Sequence, residues 1–340
     1  MPLISICIPT FNGGRYLGSC LQSALAQSVD DLEVVINDDA SEDDTLRIAN
    51  EFAQRDSRIH VHSNARNLGL IGNWNRTIER AKAPWIKLLF QDDTLHQDCL
   101  AELHGFSAAA ELPFVACLRD ISFDDSVGAE TRTWFARHAA FVARLFHERI
   151  LRPDRVAEIC LDHFALNFVG EPIVTLLHKR VFDEVGYFDP ALAQRADTEF
   201  WARAGLKYGV GMVDRPLATF RLHRDSTSSK NIANRRFVDE RLDTLVILHR
   251  YLFDQAYALV RHTADRRGAL PEMNRSFDAA VEAVRLAAQQ GLSSGQPGIW
   301  EEWRRVVAAY PGLDPKSRPQ TAASRIRSLF ARMIRRHNGR

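Results

Sequence analysis

The chain has 340 residues, of which 46% are apolar and 26% charged, and it carries a net charge of +1. These are the values of an ordinary soluble globular protein, and the length suffices to bury a substantial core of two domains or of one large domain with additions. No stretch reaches the roughly 18 apolar residues that span a bilayer. The start, Met1-Pro2-Leu3-Ile4-Ser5-Ile6-Cys7-Ile8-Pro9, has no basic segment and no small-residue cleavage site, so it reads as a first strand and not as a signal peptide. Five cysteines (7, 20, 99, 117 and 160) stand far apart with no CxxC pair, as expected of reduced, buried thiols in the cytosol. The near-neutral total hides an asymmetry. Residues 316–340 hold Lys316 and seven arginines with no acid, so the first 315 residues carry −7.

Strands and helices alternate from the start. Leu3–Pro9 is a strand, and Tyr16–Ala26 is a helix with Leu17, Leu21, Ala24 and Leu25 at helical spacing. Leu32–Ile36 is a strand, Asp44–Arg55 a helix, Arg58–His62 a short strand and Asn73–Ala81 a helix. The apolar run Trp85–Phe90 reads as a strand covered on both faces. Helix Asp98–Ala110 and strand Phe114–Ser122 follow. Residues 123–150 have no clean period and read as a loop with a helix over a site. Arg155–Phe164 is a helix, Val174–His178 a strand, Arg180–Val185 a short helix and Thr198–Lys207 a helix. Gly211–Asp214 and Ala218–His223 read as two strands. Beyond residue 230 the pattern becomes helical over Arg235–Arg261, Pro271–Gln290 and Trp300–Tyr310. Such alternation predicts an α/β fold, a mostly parallel mixed sheet with helices on both faces, followed by a helical extension.

Two strands end in adjacent carboxylates: Val34-Val35-Ile36-Asn37-Asp38-Asp39 and Leu88-Leu89-Phe90-Gln91-Asp92-Asp93. Open α/β sheets bind ligands outside the carboxyl ends of their strands. Adjacent carboxylates repel unless a cation or water separates them. A divalent cation on a diphosphate takes one or two carboxylates and fills its other positions with phosphate oxygens and water. The pair Asp92-Asp93 therefore points to a metal–diphosphate site.

An ordered set of motifs then resembles the family 2 glycosyltransferases of the GT-A fold. It comprises Ile6-Cys7-Ile8-Pro9-Thr10-Phe11-Asn12, Val35-Ile36-Asn37-Asp38-Asp39-Ala40-Ser41, Asn67-Leu68-Gly69, Gln91-Asp92-Asp93, Ala196-Asp197-Thr198-Glu199-Phe200-Trp201-Ala202-Arg203 and Phe220-Arg221-Leu222-His223. The resemblance covers roughly residues 3–228. It implies a Rossmann-like GT-A domain over 1–228, with a nucleotide-binding half (1–110) and an acceptor and catalytic half (111–228). A helical extension (229–315) and a basic tail (316–340) would follow.

The resemblance also implies roles. Pro9, Thr10, Phe11 and Asn12 would line the nucleotide pocket, with Phe11 packing on the base. Asp39 would read the base, supported by Asp38. A carboxylate accepts the imide N–H of uracil in a charge-assisted bond, although guanine or thymine also offers an N–H. Arg66, Asn67 and Gly69 would pass near the diphosphate, beside a helix start that suits phosphate. Asp92 would contact the ribose or donor sugar. Asp93 would ligate Mn²⁺ or Mg²⁺, with His223 completing the shell. Glu171, in Gly170-Glu171-Pro172, would bind a sugar hydroxyl. Asp197 would be the general base of an inverting transfer, and it is expected to cap the helix it precedes. Many relatives have Glu-Asp where this chain has Ala196-Asp197, which puts any role of the first acid in doubt. Trp201 is expected in the core or on the wall of an acceptor pocket.

The implied activity is a hexosyltransferase that moves a sugar from a nucleotide-diphospho-sugar, UDP-linked for preference, to a glycan or lipid-linked acceptor in polysaccharide or cell-envelope synthesis. In the tail, Ile326, Leu329, Phe330, Met333 and Ile334 share a helical face amid arginines. That pattern fits residues 322–337 to an anionic membrane surface and a cytoplasmic, peripheral location. A docked or disordered tail is the plainer reading. Two alternatives stay open: a non-catalytic nucleotide-sugar or glycan-binding protein, and a sugar nucleotidyltransferase. The second should carry a Gly-rich basic loop, and Asn12-Gly13-Gly14-Arg15 is too short for one. Nucleic acid is not an expected partner, since the body is acidic and has no recognition motif.

Overall fold

The structure, a computed structural model, describes residues 1–192, 194–224, 226, 241–295 and 297–313. The tail motif at 322–337 lies outside the described residues. Contacts divide the chain into two units, Met1–Arg275 and Ser276–Arg340.

In the first unit, β1 (Ile4–Thr10) and β2 (Leu32–Asp38) are buried at every residue. β3 (Ile59–Ser63) and β4 (Trp85–Leu88) join them in parallel, in the order β3-β2-β1-β4. The intervening helices are α1 (Gly14–Leu25), α2 (Thr45–Ala53) and α3 (Leu70–Arg80). Beyond β4 the sheet continues through β8 (Thr175–His178), β6 (Phe114–Phe123), β9 (Val210–Leu222) and β5 (Thr94–Leu95), and β7 (Ile150–Leu151) also pairs with β9. The parallel ladders are the long ones: β1–β2 aligns seven residue pairs and β6–β9 nine, whereas β6–β8 aligns three antiparallel. Helices α4 (Cys99–Ala110), α5 (Ala129–Leu145), α6 (Pro153–Asp162), α7 (Lys179–Val185) and α8 (Ala196–Tyr208) complete the layers. The expected α/β, mostly parallel mixed sheet is what forms. The five cysteines are all buried and free.

Three expectations need correction. The two predicted strands at 211–223 are one strand, β9. Its register against β6 jumps from Cys117↔Val213 to Leu118↔Pro216, so Asp214 and Arg215 bulge out. The bulge admits a proline, which lacks the N–H a regular ladder needs. The predicted helix 235–261 is broken, as far as it is described. α9 (Asp243–Phe253) ends at Asp254, whose extended backbone and side chain, accepting from the Ala256 amide, start a new turn at Gln255–Tyr257 before α10 (Ala258–Arg266). Finally, Asp197 does not cap its helix. Arg195 holds the cap position without a side-chain bond, and Asp197 lies inside the first turn.

Lys87 departs from the apolar run of β4 and is fully buried. Its ammonium donates to the carbonyls of Ile173 and Thr175 (3.2 Å for the latter). A buried ammonium is tolerable only with such partners, and these bonds tie β4 to the segment that follows Glu171. The helix α11 (Leu270–Ser293) runs into the second unit, whose other described elements are α12 (Pro297–Ala309) and a turn at Pro311–Leu313. Among the described residues, no helix is long and apolar enough to cross a membrane.

Candidate active site

The chain steps from β1 to β2 to β3 in one direction, and α3 then carries it back past β1 to β4. Ligands of open α/β sheets bind at such a reversal, outside the carboxyl ends of the strands. A cavity of about 850 Å³ lies there, within the range of small-molecule sites. Of the residues expected at the site, Pro9, Thr10, Phe11, Asp39, Asn67, Gly69, Asp92, Glu171 and Asp197 all lie on its wall.

One end of the cavity is built on β1 and β2. The Phe11 amide donates to Gln91 Oε1 (2.9 Å), and Gln91 Nε2 donates to the Phe11 carbonyl (3.1 Å). This pair of bonds closes the reversal point and leaves the Phe11 ring 46% exposed. A Cβ on Gly13 would stand 2.1 Å from Gln91 Cδ, so a larger residue there would push the Gln91 side chain off Phe11. Asp38 is buried and accepts from the Thr10 hydroxyl (3.1 Å) and the Ser41 amide (2.9 Å). It supports the loop and lies off the cavity wall. Asp39 accepts from the amides of Leu68 (2.8 Å) and Gly69 (3.0 Å) and from Asn64 Nδ2 (2.8 Å). It therefore holds the Asn67–Gly69 loop against the cavity. Its Oδ2 accepts only one of these bonds and keeps a lone pair for a further donor. Asn12 and Arg66 are not on the wall. Asn12 serves a turn, accepting from the Glu42 amide (2.9 Å), and Arg66 is exposed.

The acidic pair lies at the end of β4. Asp92 Oδ2 is 3.1 Å from His223 Nε2. Asp93 is buried behind it, and its Oδ1 accepts from the Arg221 amide (2.8 Å). Asp93 Oδ2 and His223 Nδ1 are both buried without a hydrogen-bond partner. Burial, followed by the neighbouring Asp92 charge, pushes the Asp93 carboxyl well above the usual range. Among the described residues, no three His, Cys, Asp or Glu gather as a complete cage. An ion carried on a diphosphate does not need one. A partnerless carboxylate oxygen beside a second carboxylate and an imidazole fits a hard or borderline cation.

Asp197 enters from the first turn of α8. Its Oδ1 accepts from the Thr198 amide (2.6 Å), and its Oδ2 accepts from Asn167 Nδ2 (2.9 Å). Part of the residue faces the cavity, while surrounding protein keeps water from most of the carboxylate. That burial raises the group to about 7, against the pull of the Thr198 amide and with the push of the Glu171 charge. Glu171 is ion-paired with buried Arg119 at 2.5 Å. Trp201 is buried in the core and donates Nε1–H to the Gly170 carbonyl (2.9 Å), so it is not a pocket wall.

Several contributors escaped the sequence reading. Glu130, Trp134 and His138 face the cavity from α5 at four-residue spacing, a period visible in retrospect. Arg119 and Asn167 carry no local signal, because their partners lie 52 and 30 residues away. The extension also contributes. Asp243 accepts from the amides of Gln194 (2.6 Å) and Arg195 (2.9 Å), just before α8. Buried Glu199 is bound by Arg203, by Arg250 (2.7 Å) and by the Tyr257 hydroxyl (2.7 Å). The helix bearing Asp197 is thus braced from behind.

The chain is similar to known proteins in sequence and in fold. Residues 5–169 match the profile of the Glycosyl transferase family 2. An uncharacterized protein of Mycobacterium tuberculosis (strain CDC 1551 / Oshkosh) is 28% identical over 242 residues, which cover 71% of this chain and 73% of that one. Chondroitin synthase of Pasteurella multocida (strain Pm70) is 33% identical over 157 residues, 43% of this chain but only 16% of the synthase. Among solved structures, S. aureus TarS 1–349 in complex with UDP-GlcNAc superposes with a TM-score of 0.56 at 14% identity, covering 92% of this chain and 90% of that one. The mannosyltransferase PcManGT of Pyrobaculum calidifontis, in complex with GDP-Man and Mn²⁺, gives 0.55 at 14% identity, with 93% and 82% covered. At that identity the likeness is one of fold.

Proposed function

We propose that this chain, which matches glycosyl transferase family 2 over residues 5–169, is a member of that family and moves a sugar, with inversion, from a nucleotide-diphospho-sugar to a hydroxyl of a glycan or lipid-linked acceptor, with UDP as the preferred carrier. The observation that carries this reading is one cavity walled by Asp39, Asp92 and Asp197, each with its own set of partners. Phe11 and Asp39 would hold the base. Asp92, Asp93 and His223 would hold Mn²⁺ or Mg²⁺ on the diphosphate. That ion, when bound, supplies positive charge to the departing diphosphate. Glu171, steadied by Arg119, would accept from a donor-sugar hydroxyl.

Asp197 would take the acceptor proton. A base poised near 7 is ionised often enough to act at neutral pH and basic enough to draw the proton. The attacking oxygen would approach the anomeric carbon from the side opposite the diphosphate. Asn167 and the Thr198 amide would keep the carboxylate aimed.

The test is calorimetric titration with UDP, GDP and dTDP, each with and without Mn²⁺. Metal-dependent binding of one nucleotide is expected. Binding of none would overturn the reading. Peripheral membrane contact by residues 322–337 belongs to the same proposal, and co-sedimentation with anionic vesicles, compared with neutral ones, checks it.

A further inference from the structure

The cavity wall includes a well-exposed indole that the reading above leaves without a task. Trp134 of α5 lines the cavity and is 54% exposed. Its orientation is set from behind. The His138 ring lies parallel to it (2° between planes, centroids 5.3 Å apart), and Phe135 meets it edge-on at 4.8 Å. Phe135 is buried against Phe220 and Leu222 of β9, which anchors the helix. His138 is held in turn, with Nε2 2.6 Å from the Asn167 carbonyl and Nδ1 3.3 Å from Arg119. Asn167 is also the residue that donates to Asp197. The indole and the candidate base are therefore mounted on one frame.

We propose that Trp134 is the platform on which a pyranose ring of the acceptor stacks, bringing its hydroxyl to Asp197; this rests on the transferase reading. A pyranose has an apolar face of C–H groups and a rim of hydroxyls. The site offers the matching pair: an indole face, with Glu130 and Thr131 beside it on α5, and Gln194 and Arg195 among the polar residues that line the same cavity. An acyl chain in the same place would desolvate those polar groups without hydrogen bonds, which is costly. The occupant next to the base is thus a sugar, and any lipid portion of the acceptor lies further out.

Saturation-transfer NMR with methyl β-glycosides of glucose, galactose and N-acetylglucosamine tests this, with UDP and Mn²⁺ present. Transfer to ring C–H protons is expected in the wild type and in Trp134→Phe. Affinity should fall about tenfold in Trp134→Ala. Near-UV circular dichroism shows whether the variant is folded, and nucleotide affinity is measured on the same samples. Unchanged sugar contact in folded Trp134→Ala would overturn the platform, as would absence of contact in the wild type. So would saturation reaching the alkyl chain of an octyl glycoside but not its sugar. Nucleotide binding that survives these failures leaves the transferase reading standing. Sugar stacking without any nucleotide binding would sink that reading instead.

Discussion

Asn167→Ala should move the pH dependence of transfer and leave nucleotide binding alone. The Asn167 amide donates to the Asp197 carboxylate at 2.9 Å, a bond that favours the ionised form. A hydrogen bond to a charged group is worth about 1.5–3 kcal/mol, and 1.36 kcal/mol corresponds to one pH unit. Water entering the vacated space recovers part of this, so the expected rise is about one unit. A base works when deprotonated, so activity in the native protein should climb with pH through about 7. In the variant that limb should move to about 8, with activity at pH 7 down several-fold and much of it regained at pH 9. Asn167 touches none of Asp39, Asp92, Asp93 or His223, so the nucleotide Kd should hold. The assay is kcat against pH at saturating donor, using nucleotide release as the signal. Reduced kcat with an unmoved limb would refute the claim that Asn167 tunes Asp197. The same shift has a stability consequence. The folded chain keeps a proton on Asp197 that the unfolded chain releases near 3.8, so this group's contribution to stability falls as pH rises from about 4 to about 7.

Asp93→Ala should abolish metal-dependent nucleotide binding, whereas Asp197→Asn should keep it and lose transfer. Calorimetry and product analysis distinguish the two. Asp39→Ala leaves the Leu68 amide without its acceptor and the Gly69 amide with Asn67 Oδ1 alone, at about 1–3 kcal/mol if water does not reach the Leu68 amide. Both thermal stability and nucleotide affinity should drop. Asp243→Ala frees the amides of Gln194 and Arg195, so kcat should fall more than donor KM changes. Gly209→Ala puts a Cβ 2.6 Å from the Leu151 carbonyl at a φ of +74°. It should cost about 2–4 kcal/mol in denaturant unfolding.

What the sequence by itself determined is local. A buried run such as Ile4–Pro9 can satisfy its backbone and its apolar surface only as an inner strand. An acid pair after such a strand lands at the carboxyl edge of the sheet, wherever that strand pairs. Hence β1, β2, β4 and the acids behind them were legible, as was the order of the motifs. Tertiary structure decided what joins distant segments. Whether Asp39 faces a ligand alone or also clamps the Asn67–Gly69 loop depends on a contact 29 residues away. The polar frame of Arg119, His138, Asn167 and Asp197 comes from β6, α5, a loop and α8, and no periodicity in any one of them announces the others. The bulge in β9 is set by its partner β6, because a register shift is a property of a pair of strands. Propensity and pattern act over a turn or a strand, but the aim of a carboxylate and the exposure of an indole are set by whatever packs against them.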